Sequence, residues 1–305
     1  MPKYKLELKE KTSIQLQCYL LIALPLIGFF IFTVYPMYWV GFHSFTFYDL
    51  IPGHEHMVGF KNYLTALTNV KYWKTWLTLL QFTFIKVPIE LVLSLFLATV
   101  LSRKLKGSGF FRASFFMPKI ISAVIISVIF TNIFGYFGFA NHWLGKLGFI
   151  SSPIEWYSKK STAMVLLILG SIWGNFGTNV LYFTAALTNV PEELYEAAEI
   201  DGAGRTARFF YITLPMIIPV FQTILLLAIN GTLQTGDYVI VMTNGAPGGM
   251  THTPMSYLIG EFVPGFASGT VNVGYGCSIA IINSIIYIII ASIYSKATSS
   301  AQNLY

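Results

Sequence analysis

Six apolar runs divide this 305-residue chain, at roughly 18–42, 76–101, 115–134, 162–187, 214–242 and 271–294. Runs of about 20 apolar residues are long enough to cross a bilayer as helices. The charge content agrees: Asp, Glu, Lys and Arg make up 10% of the chain, against about 25% in a soluble domain. The expected fold is therefore all-α, a polytopic membrane protein with six transmembrane helices. No linker separates two parts, so residues 1–305 read as one transmembrane domain. Its core covers about 72–295, after an N-terminal tail, a first span and an external loop within 1–71.

Several function classes fall away at this point. The net charge of +6 does not imply nucleic acid, because the 19 Lys and Arg sit in short loops where they report orientation. With the N-terminus inside, inner segments carry eleven of them and outer segments six; Lys86 and Lys119 fall in or at the edge of spans. Both termini are thus expected in the cytoplasm, on a multi-pass protein of the cytoplasmic membrane. Met1 to Lys11 is too polar, and the first apolar run too long, for a cleaved signal peptide. Cys18 and Cys277, far apart in sequence, build no disulfide or metal framework. His54-Glu55-His56 lies in a Gly/Pro-flanked loop and is expected to be solvated rather than metal-bound.

Polar groups inside the spans are the candidates for function. Lys86 and Glu90 are four apart on the second span, placed to pair on one helical face. A structural pair is the expected role, and an ion relay is the alternative. Asn175 and Asn179 share a face of the fourth span, and Asn230, Gln234 and Asp237 recur at i, i+4 and i+7 on the fifth. Amides donate and accept, which suits the groups of a polar solute; hydrogen bonding between helices is the rival use. Trp173, Phe176 and Tyr182 could pack on solute rings or on other helices.

The most patterned stretch lies between the fourth and fifth spans. Pro191 can open a helix, and Glu192 and Glu193 suit the positive end of its dipole. Leu194, Ala197 and Ala198 follow on one face, and Gly202 can end the helix in the left-handed conformation. The charge count puts this helix in the cytoplasm, and its small alanines would let another protein approach closely.

Glu196-Ala197-Ala198, then Gly202, then Ile212-Thr213-Leu214-Pro215 resembles the EAA loop of permease subunits of binding-protein-dependent, type I ABC importers. The longer string from Pro191 to Ala203, with Gly59-Phe60-Lys61-Asn62-Tyr63 and Thr243-Asn244-Gly245-Ala246-Pro247, is similar to the carbohydrate branch, the maltose-type permeases. The extra N-terminal spans and large external domain of the maltose-type subunit are missing here. The resemblance implies that Glu196, Ala197, Ala198, Asp201 and Gly202 belong to a coupling helix that docks on an ATPase. It also implies that Asn175, Asn179, Asn230 and Gln234 line the solute path, with Asp237 nearer its outer end. The implied partners are a second permease, two ATPase subunits, an extracytoplasmic solute-binding protein and a sugar or oligosaccharide. The chain has no G-x-x-x-x-G-K-[ST] phosphate loop, so no cofactor is expected on it. ATP and Mg belong to the ATPase subunits, and the chain is expected to be a transport subunit, not an enzyme. Two alternatives stand beside this reading: an ABC importer for a non-sugar solute, and a secondary transporter using Lys86 and Glu90.

Overall fold

A computed structural model describes residues 2–102, 107–263, 265 and 271–302. Arg103, Lys104 and Lys106, which entered the charge count, lie outside the described residues. The chain divides into two compact units: Met1–Thr68 with Glu261–Ile282, and Asn69–Gly260 with Asn283–Tyr305. Five helical segments among the described residues are long and apolar enough to cross a membrane: Ile14–His43, Val70–Leu101, Lys160–Thr188, Arg205–Leu233 and Val273–Thr298.

The first unit opens with α1 (Pro2–Phe29), a wide π-helical turn at Phe30–Val34, and α2 (Tyr35–His43). The wide turn has a local cause. Pro36 has no N–H to offer the carbonyl one turn back, and the Tyr35 N–H instead reaches Phe30 O, five residues earlier. Two short strands, β1 (Thr46–Phe47) and β2 (His56–Met57), pair antiparallel. Asn62, in α3 (Lys61–Thr68), fastens the chain before β1 by donating to the Ser44 and Thr46 carbonyls at 3.0 and 2.8 Å. In the loop around β2 His54 Nδ1 lies 3.1 Å from Asp49 Oδ2, and Glu55 lies 3.3 Å from His43 Nε2. His54, Glu55 and His56 therefore do not converge on a common point.

The second unit is built on α4 (Val70–Leu101), capped by the Asn69 side chain, which accepts from the Lys71 and Tyr72 N–H groups. α4 packs along α8 (Lys160–Thr188). Phe82, Leu91, Leu167, Val180 and Phe183 form the core with Ile217 and Ile224 of α11 (Leu214–Leu233). α11 is preceded by α10 (Arg205–Arg208) and a second π-helical turn, Phe209–Thr213. It has the same register as the first, since Leu214 N–H reaches Phe209 O one residue ahead of Pro215.

Two expected spans are corrected. The third, expected as one helix over 115–134, is two: α5 (Ser108–Ile120) and α6 (Ala123–Ile133), bent by 96°. Ile121 is extended, and Ser122 caps the new helix by accepting from Val124 N at 3.3 Å. The fifth, expected to run to Met242, ends at Leu233. Tyr287 donates to the Leu233 carbonyl at 2.9 Å and Thr253 to the Thr235 carbonyl at 2.6 Å, so side chains take the place of the next helical turn. A separate short helix, α12 (Asp237–Met242), follows Gly236. In the glycine-rich stretch after α6, α7 (Phe139–Lys146) is held by Asn141, which bonds Tyr136 O, Ile154 O and Ile154 N.

α5 reaches α8 through a close approach. A Cβ at Gly177 would collide with the Phe115 carbonyl oxygen and sit 3.0 Å from Phe116 Cα. Glycine is what allows the two backbones to touch.

Candidate coupling helix and translocation path

The polar stretch after α8 forms α9 (Glu192–Ile200), with Glu192 and Glu193 in its first turn and Pro191 at the N-cap position. It ends at Asp201. Gly202 follows with φ +78°, the Gly202 N–H bonds Glu199 O at 3.1 Å, and the Ala203 N–H bonds Ala198 O at 2.8 Å. These two bonds are the Schellman closure that a left-handed glycine permits.

The faces of α9 differ from the sequence expectation. Tyr195 and Ala198, three apart, are half-buried, and the Tyr195 hydroxyl shares a 2.8 Å hydrogen bond with Thr213 Oγ1. Leu194, Glu196, Ala197 and Ile200 point outward, and Ile200 is 87% exposed. Of the two alanines only Ala197 is on the free face. The anchoring carboxylate is Glu199, which Arg208 meets at 2.8 Å; Glu196 is exposed. A groove of ≈ 800 Å³ lies beneath, lined by Thr99, Ser102, Tyr195, Arg205 and Arg208 among others.

Within the spans the structure separates the expected path residues into two groups. Lys86 and Glu90 form the expected pair, at 2.8 Å, with side chains 3% and 2% exposed. Lys86 also donates to Thr232 Oγ1 at 2.9 Å, and Asn179 Nδ2 donates to Glu90 Oε1 at 2.8 Å. Ser94, one turn below Glu90, bonds the Phe176 carbonyl at 3.1 Å. This network ties α4, α8 and α11 together. Asn179 is buried within it, its amide committed to a neighbouring helix. Charges desolvated this completely are held only by partners that satisfy each of them.

Asn175 is half-buried, with Nδ2 donating to Ser171 O at 2.8 Å and Oδ1 accepting from Lys119 Nζ at 3.1 Å. Asn230 and Gln234 are exposed and adjacent, Gln234 Nε2 lying 3.3 Å from Asn230 Oδ1. Asp237 is exposed too, but it starts α12, so the i, i+4, i+7 stripe does not continue through it. Phe176 packs in the core against Phe115, Trp173 is half-buried beside Phe130, and Tyr182 is exposed.

Sequence reasoning missed Lys119 and Thr232. Lys119 was visible as a charge beside Pro118 at the head of an apolar run, but only the bend after Ile120 explains its meeting with the middle of α8. Thr232 carries no signal, since a threonine in an apolar helix most often bonds its own backbone, as Thr232 also does to Ala228 O.

The chain is an all-α membrane protein with an exposed, glycine-closed helix, α9, between two of its long apolar helices. The chain belongs to the family of binding-protein-dependent transport system inner membrane components, whose model matches residues 90–298. It is a transport component and a multi-pass membrane protein. The arabinooligosaccharides transport system permease protein of Bacillus subtilis is 35% identical over 289 residues, 92% of this chain and 88% of that one. The trehalose/maltose transport system permease protein of Thermococcus litoralis is 32% identical over 282 residues, 90% of this chain and 92% of that one. A chain of a bacterial ABC transporter involved in import of the acidic polysaccharide alginate has the same fold. It superimposes with a TM-score of 0.79 over 96% of this chain and 99% of its own, at 19% identity.

Proposed function

We propose that this chain is a permease subunit of an ATP-driven importer for a sugar or oligosaccharide. It forms half of the path with a second permease and receives solute from an extracytoplasmic binding protein. α9 lies on the cytoplasmic side, with both termini, and docks on one of two ATPase subunits that carry the ATP and Mg. ATP-driven closure of those subunits pushes α9 and turns the solute cavity from inward to outward access. The single observation that carries the reading is the free face of α9: Leu194, Ala197 and Ile200 are apolar or small and exposed beside Glu196. A second protein would cover that face at little cost in ordering, because the Gly202 closure already holds the helix. The names of the relatives, arabinooligosaccharide and trehalose/maltose permeases, support a saccharide. Asn230 near the end of the span and Gln234 just past it, exposed donors and acceptors, suit its hydroxyls.

The test is uptake by liposomes holding the full complex. Saccharide accumulation is expected only with ATP inside and binding protein outside. Accumulation driven by a proton gradient without ATP, and abolished by Glu90→Gln, would instead establish a secondary transporter.

A further inference from the structure

Lys119 is a charge at the head of the bent α5–α6 pair that takes no part in the Lys86–Glu90 network. It lies at the C-terminal end of α5, directly before the 96° bend. Its ammonium donates to Asn175 Oδ1 at 3.1 Å, and the side chain is exposed on the surface of the chain. Asn175 is 13 residues from the Thr188 end of α8 and 15 from the Lys160 end. At 1.5 Å per residue that is about 20 Å from either end, near the middle of an apolar span.

A lysine so placed cannot snorkel to an interface, and a bare ammonium in hydrocarbon is costly; such side chains face a water-filled cavity or a bundle interior. The position is built, not incidental. Gly177 brings α5 against α8, and the Asn175 amide is fixed by its other bond to Ser171 O. One ammonium proton is used on Asn175, leaving two donors free for another acceptor. Among the described residues no carboxylate pairs with Lys119. Glu90 is taken by Lys86 and Asn179, and Asp237 forms no ion pair.

We propose that Lys119, oriented by Asn175 at mid-depth of α8, contacts the solute and gives the path a preference for saccharides that carry a carboxylate. This deepens the importer reading and rests on it. An ammonium has only donors, so it binds any acceptor oxygen, but its hydrogen bond to an ionised carboxylate is about twice as strong as one between neutral groups. A neutral sugar would leave the cation without a counter-charge.

The full complex in liposomes, given trigalacturonate and its methyl ester as probes, separates charge from chain length. Wild type is expected to take up the acid at least ~10-fold faster than the ester, a preference set by the charge-assisted bond. Lys119→Gln should lose that preference and Lys119→Arg keep it. An unaltered preference in Lys119→Gln, or ATP-driven uptake of neutral saccharides only, overturns the proposal and leaves the importer reading standing. No ATP-driven uptake of any saccharide overturns both. Failure of Lys119→Gln to assemble with the second permease means the ammonium pairs with that subunit, and the proposal falls. A second variant covers variants that do not transport. Lys119→Cys, with Cys18 and Cys277 changed to alanine, should react with a charged, membrane-impermeant thiosulfonate; no reaction places residue 119 away from water and overturns the proposal.

Discussion

At the scale of single residues, the buried Lys86–Glu90 pair sets the hardest constraint. Each charge has two partners: Lys86 has Glu90 and Thr232, and Glu90 has Lys86 and Asn179. Removing one partner strands the other charge, at a cost of about 3–5 kcal/mol; removing both as an apolar pair costs far less. Lys86→Met and Glu90→Met should each lower the thermal midpoint of the purified permease more than the double variant Lys86→Met/Glu90→Met does. Additive losses, measured by thermal scanning of tryptophan fluorescence, would mean that the two charges are not coupled. The pair itself was legible, because i, i+4 spacing on an apolar run allows little else. Its cross-helix partners were not: Thr232 lies 146 residues from Lys86 and Asn179 lies 89 from Glu90, and no local pattern encodes such contacts. Asn179 shows the limit best. The same amide that reads as a solute ligand in a stripe is an interhelical bond once a carboxylate from α4 is beside it.

At the scale of elements, apolar length located the spans but not their breaks. A run over 115–134 reads as one helix because it is predominantly apolar over about the length of a span. The bend depends on Ile121 turning extended and Ser122 capping α6, and a serine in an apolar run is a weak signal. The fifth span ends for a similar reason, its carbonyls taken by Tyr287 and Thr253 from distant segments. The α5–α8 contact carries a clear prediction. Gly177→Ala places a methyl group against backbone atoms that have no rotamer to escape by, and overpacking of this kind costs about 1–3 kcal/mol. The variant should unfold at lower temperature and lose the Lys119–Asn175 contact; an unchanged midpoint would mean that α5 is free to move away. At the end of α11, Leu in place of Asn230 or of the flanking Gln234 removes exposed hydrogen-bonding groups worth about 0.5–1.5 kcal/mol each. Saccharide uptake should fall several-fold while the yield of assembled complex holds. Uptake at the wild-type rate in both variants would take these amides out of the path.

At the scale of the whole molecule, the central claim is that α9 transmits work from an ATPase to the spans. Its outline was legible: Pro191, the acidic first turn and Gly202 mark a short helix with a left-handed stop, and the structure has both. Which face stays free was not legible, because Tyr195 turns the helix by bonding Thr213 from the start of the next span. The two probes follow from that geometry. Ala197→Trp puts bulk on the free face without touching the chain's own packing. Gly202→Asp puts a side chain at φ +78°, costing roughly 1–2 kcal/mol. The direct measurement is the amount of ATPase that copurifies with each variant permease from membranes in which the second permease is still bound. Copurified ATPase should drop at least ~10-fold for Ala197→Trp, equivalent to about 1.4 kcal/mol of lost docking, and measurably for Gly202→Asp. Wild-type ATPase recovery in both variants would contradict α9 as the coupling helix.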